Sequence, residues 1–129
     1  MPILGNEPYF LYNYAAELYI AGHYHHALRI TQHCQKYWSD YDLEILHGEL
    51  LNKLNKKEEA EQHFKHASHM CPARFIPLYK LYQLYKETGN EAKARQIGII
   101  ILNKPVKIES EIIQHIKEKI KLSLSYKNI

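Results

Sequence analysis

The residues in this chain best equipped for chemistry are its histidines and tyrosines. His63, His66 and His69 stand three apart. On a helix such residues are neighbours, so two of the three imidazoles could share a divalent ion such as zinc or nickel. No cysteine or carboxylate obviously completes a set of four ligands. The plainer expectation is therefore solvated histidines on the outer face of a helix, with no metal and no cofactor. His23, His25 and His26 flank a turn and make a weaker case. Cys34 and Cys71 are isolated thiols, and without a dense, even set of cysteines no disulfide framework is indicated. No nucleophile elbow, phosphate loop or H-E-x-x-H occurs. The chain is expected to recognise rather than catalyse. Its eleven tyrosines are suited to that, because each offers a large contact area, few rotors and a polar tip.

The elements that must position these groups follow from a spacing. Ala27, Ala60 and Ala94 recur at steps of 33 and 34 residues. Five residues before each stands Gly22, Asn55 or Gly89, all tolerant of a left-handed backbone. Twelve before each stands Ala15, Gly48 or Tyr82. Small residues let two helix axes approach where they cross, and a period of this size marks a helical solenoid. The pattern predicts helix pairs over 8–20 and 24–37, 41–54 and 57–70, and 75–87 and 91–103. Pro8 and Pro77 suit first helical turns, Asp40 suits an N-cap, and Pro72 and Pro105 end the second helices. A seventh helix is expected after Ser110. Its Ile112, Ile113, Ile116, Ile120 and Leu124 should face inward onto Ile97, Ile100 and Ile101, with Lys117, Lys119 and Lys121 outward.

Gly48, Leu51, Ala60, Phe64, Ala67 and Pro72 resemble one half of the tetratricopeptide repeat (TPR) pattern. The resemblance implies an all-α, right-handed α-α superhelix of three helix pairs plus a capping helix. The divisions would be a lead-in over 1–7, repeats over 8–40, 41–73 and 74–106, a capping helix over 107–126 and a tail over 127–129. Thr31 and Gly98 depart from the pattern, which has large residues there. Repeats of this family bind partners in a concave groove lined by the first helix of each pair. By phase, repeat one would contribute Tyr9, Tyr12 and Tyr19. Repeat two would contribute Asp42, Ile45, Glu49 and Asn52, and repeat three Tyr79, Gln83 and Lys86. Tyr14, Tyr24, Tyr82 and Tyr85 are expected in the core. The carboxylate clamp of chaperone-binding repeats is not expected, since Tyr12, Ala16, Leu46 and Tyr79 occupy its places and only Lys80 fits.

Residues 70–79 (Met70-Cys71-Pro72-Ala73-Arg74-Phe75 onward) and 101–107 are similar to segments in the C-terminal tails of Bacteroidetes membrane proteins of the O-antigen ligase/polymerase class. Pro8-Tyr9-Phe10-Leu11-Tyr12 resembles the start of such tails. The resemblance implies a soluble domain tethered to a bacterial inner membrane through an upstream segment, with glycan chemistry residing elsewhere. A free-standing cytoplasmic adaptor and a module binding a small ligand or metal remain alternatives. Composition fits each of them. No run of about 18 apolar residues exists, and the net charge of +3 comes from residues 104–129, too little for nucleic-acid binding. A protein or peptide partner is expected, and the open edge of repeat one leaves room for a homodimer.

Overall fold

The computed structural model describes residues 8–106 and 110–127, with side chains from 9 to 124. The expected lead-in over 1–7, the first residues of the expected capping segment at 107–109, and residues 128–129 lie outside the described residues. Seven helices and no strand occur among those described. They fall into two compact units, residues 1–72 and 73–129.

The first unit holds α1 (Pro8–Ile20), α2 (Tyr24–Cys34), α3 (Tyr41–Lys53) and α4 (Lys57–Met70). α1 pairs with α2 and α3 with α4, while α3 also packs on α2 and touches α1. The turn inside each pair has one cause. Gly22 sits at φ 85° and Asn55 at φ 64°. At Gly22 the amide donates to Tyr19 O and the next amide, of His23, reaches back to Leu18 O. At Asn55 the amides of Asn55 and Lys56 repeat this with Asn52 O and Leu51 O. This pair of hydrogen bonds closes a helix only when its hinge residue is left-handed.

The core of this unit depends on the small residues. Ala15, Ala27, Ala60 and Ala67 have no exposed surface. Phe64 of α4 packs against Gly48 of α3, so close that a Cβ on Gly48 would stand 2.5 Å from its ring. Thr31 is fully buried. Its hydroxyl finds no partner, in a place the repeat pattern gives to a large side chain. α2 ends at Cys34, three residues before the expected end. The chain tightens there, with Lys36 N–H on His33 O and Tyr37 N–H on Cys34 O, the three-residue bonding of a helix running out. α3 then begins on Asp40, whose carboxylate accepts the Asp42 N–H at 2.7 Å.

The second unit holds α5 (Ile76–Glu87), α6 (Glu91–Asn103) and α7 (Glu111–Lys127). α5 pairs with α6 and α6 with α7. Gly89, at φ 76°, makes the same turn as Gly22. Ser110 caps α7 by accepting the Ile113 N–H. Ile116 and Ile120 are buried, and Ile120 fills the space over Gly98, its Cγ2 3.2 Å from where a Cβ would lie. Three expectations are corrected. Lys117, expected outward, turns back onto the end of α6 and donates to Leu102 O and Lys104 O at 3.4 and 2.9 Å. Ile112 is 64% exposed and Ile100 51%. α7 meets α6 around Gly98, two turns beyond Ile112, and Ile100 lies one residue, about 100° of rotation, off the buried Ile101.

Candidate functional site

The residues expected in a groove are divided between the two units. On the first unit, α1 and α3 lie side by side, and their facing residues meet. The Tyr19 hydroxyl donates to Glu49 Oε2 at 2.6 Å. Burial, and then this carboxylate, push the Tyr19 hydroxyl well above the ordinary tyrosine range. Tyr19 also packs on Tyr24 at a centroid distance of 5.6 Å. Tyr12 is half-buried, and burial, then Asp42 and Asp40, hold its hydroxyl above its usual value. Ile45 and Asn52 are half-buried on the same helix face. Asn52 is partly committed, since its side-chain and backbone oxygens both receive the Lys57 ammonium.

Sequence phase did not identify Trp38, which joins this surface from the α2–α3 turn. Its ring lies 5.3 Å from that of Tyr9, tilted, and 6.0 Å from that of Tyr12, edge-on. Trp38 and Tyr12 both lean on the buried Leu11, Cys34 and Leu43, whereas Tyr9 is 66% exposed. The available signal was that the only tryptophan of the chain stands two residues before an N-cap. Of the tyrosines expected in the core, Tyr82 and Tyr85 are buried. Tyr14 is a correction: it is more than a third exposed, resting edge-on against His26 at the surface end of the α1–α2 pair. Tyr24 is half-buried.

On the second unit, Tyr79, Gln83 and Lys86 line one open hollow of about 340 Å³ with Tyr82, Glu87, Lys119 and Ser123. The three expected residues are thus brought together, and α7 supplies the far wall. Tyr79 stacks on Tyr82 at 6.3 Å, and Lys86 pairs with Glu91 at 3.2 Å.

The histidines do something other than expected. His63 and His66 turn inward onto Glu44 of α3, each placing Nδ1 at 2.9–3.0 Å from Glu44 Oε2. A carboxylate only accepts, so both Nδ1 atoms carry hydrogen. Gln35 donates to Oε1 at 3.0 Å. Glu44 is 5% exposed. Burial by itself would raise its carboxyl, but the two imidazole hydrogen bonds outweigh burial and hold it below the usual carboxylate value. His47 stacks on His63 at 3.8 Å. Burial, then His63, push it down to about 4, with Glu44 opposing. Its Nδ1 has no partner. His69 is exposed and outside the cluster. Among the described residues no three His, Cys, Asp or Glu side chains are arranged to hold a metal ion. Glu44 was legible in retrospect, because it shares a helix face with Gly48 and Leu51, four and seven residues on.

No family model and no curated protein matches the sequence. A solved structure does. The chain is similar to the Yersinia enterocolitica type III secretion chaperone SycD, solved in complex with a peptide of the translocator YopD. The TM-score is 0.71 at 18% identity, over 88% of this chain and 91% of that chain. The fold is an all-α, TPR-like helical repeat. At this identity the likeness speaks to the fold and carries no residue across. No helix among the described residues is long and apolar enough to cross a membrane.

Proposed function

We propose that this chain is a non-catalytic protein-interaction module that takes a peptide segment of its partner on the tyrosine-rich α1–α3 face. The observation that carries the reading is the composition of that face: Tyr9, Tyr12 and Trp38 in ring contact, and Tyr19 two turns further along α1 bonded to Glu49, all exposed or half-exposed. Half-buried aromatic rings with polar tips are the usual anchors of protein interfaces. The fold it shares with a chaperone solved with a bound peptide supports the same use. Within the second unit, the Tyr79–Gln83–Lys86 hollow is the candidate contact region.

The tail-like motifs of residues 70–79 and 101–107 support a finer context: the C-terminal part of a bacterial envelope-glycan membrane protein of the O-antigen ligase/polymerase class. The metal-sensing alternative is less supported, because His63 and His66 spend their Nδ1 hydrogens on Glu44.

Tyr9 is the residue to test, since Tyr12 also packs on the core. A photo-crosslinking side chain at position 9 of the full-length protein in cells should capture a defined partner, whereas one at the exposed Gln62 should not. Equal capture from both positions would refute the interaction face. The context is tested by the reading frame upstream of Pro8, which should encode several apolar spans of about 20 residues.

A further inference from the structure

Within the α1–α3 face, the corner made by Tyr9, Tyr12 and Trp38 differs from the rest. Three aromatic rings meet there at two angles, 38° between Tyr9 and Trp38 and 87° between Tyr12 and Trp38. Two carboxylates stand beside them, close enough that Asp42 and Asp40 act on the Tyr12 hydroxyl. Asp40 is occupied in capping α3 through the Asp42 amide. Asp42 is exposed. Among the described residues no lysine or arginine pairs with either carboxylate, and Lys36, exposed in the adjoining turn, pairs with none of these groups.

Ring faces carry negative charge, and a cation set over them is attracted, most strongly over tryptophan. A carboxylate at the rim adds an ionic partner. A planar guanidinium can stack on one ring while its edge reaches a carboxylate. We propose that Tyr9, Tyr12 and Trp38, with Asp42 at the rim, form a subsite for an arginine side chain of the bound peptide. This rests on the interaction reading of the α1–α3 face and gives its occupant a chemistry: a segment with a cationic residue between apolar ones, the apolar side chains lying along Tyr12, Ile45 and Tyr19.

The single tryptophan makes the test direct. The probes are a blocked pentapeptide, acetyl-Gly-Leu-Arg-Leu-Gly-amide, and its citrulline counterpart, which keeps the shape and removes the charge. Binding is followed by the Trp38 indole N–H signal in NMR and by Trp38 fluorescence. The arginine peptide should shift the indole signal saturably. The citrulline peptide should bind about tenfold more weakly, the scale of a partly desolvated cation–π contact plus an ion pair. Asp42→Asn and Tyr9→Leu, both at exposed positions and checked for folding by circular dichroism, should each narrow that gap. Equal affinity for the two peptides overturns the cation subsite and leaves the interaction face standing. No indole shift with either peptide at millimolar concentration also overturns it. The interaction face itself falls only on the crosslinking result.

Discussion

Replacing Gly48 by alanine probes the tightest contact in the first unit. The added Cβ would lie 2.5, 2.8 and 3.0 Å from three atoms of the Phe64 ring. Ordinary carbon–carbon contact is about 3.5–4 Å, so the ring or α3 must retreat by about 1 Å. Phe64 is 1% exposed and cannot swing into solvent. Overpacking of this kind costs about 2–3 kcal/mol. Alanine recovers about 1 kcal/mol, because glycine is unfavourable inside a helix. The net loss is about 1–2 kcal/mol, a fall in melting temperature of about 5–10 °C for a unit of this size. Urea unfolding followed by circular dichroism measures it. The same experiment on Phe64→Leu and on the double variant closes a mutant cycle. Removing the ring should make Gly48→Ala neutral or stabilising, a coupling of at least about 1 kcal/mol. Gly48→Ala that stabilises the wild-type background, or a cycle that is additive, would refute the seating of Phe64 on Gly48.

Two further predictions concern charge and backbone. His47 is pushed from 6.5 to about 4 in the folded chain, so between these values the unfolded chain binds a proton that the folded chain refuses, and stability falls as pH drops through that window. Linkage makes the loss about 2 kcal/mol between pH 7 and pH 5, lowered towards about 1 by water reaching the cluster past His63 and His66. His47→Leu should flatten that slope in urea midpoints taken at the two pH values, and an unchanged slope would show that the imidazole does not remain neutral there. Asn55→Gly should hold or raise stability by a few tenths of a kcal/mol, while Gly89→Ala should cost about 1 kcal/mol, because both positions have positive φ. Thermal melts showing the reverse order would contradict the shared turn geometry.

The repeat frame was legible because its signals are local. A left-handed turn residue and a buried alanine are each demanded by one helix pair, and Gly22, Asn55, Gly89, Ala27, Ala60 and Ala94 meet that demand. The first six helices followed from those marks to within a residue or two, except where the chain tightens after Cys34, and α7 followed from Ser110 and its isoleucine spacing. What was not legible depends on two elements meeting. Helical spacing put Ile112 on the inward face of α7, but where that helix meets α6 decides that Ile116 and Ile120 are covered and Ile112 is not. His63 and His66 read as a solvated pair because their partner, Glu44, lies nineteen residues before His63 on another helix. Trp38 stands in a turn, where no periodicity speaks for it. The expected groove residues were assigned by phase, which proposes a helix face but cannot say that the Asn52 side chain is spent on Lys57.

Glu44 carries one more implication. Its hydrogen-bond partners come from both sides of α3: Gln35 from the cap just after α2, and His63 and His66 from α4. A gene rearrangement that cut the chain between the first and second helix pairs, near Ser39, would strip the Gln35 hydrogen bond and the cover of α2 from a buried charge. Repeat proteins are usually thought of as arrays whose single repeats can be duplicated, deleted or shuffled. In this chain the smallest piece that can be inherited or exchanged intact is the pair of repeats, because one carboxylate is solvated jointly by both.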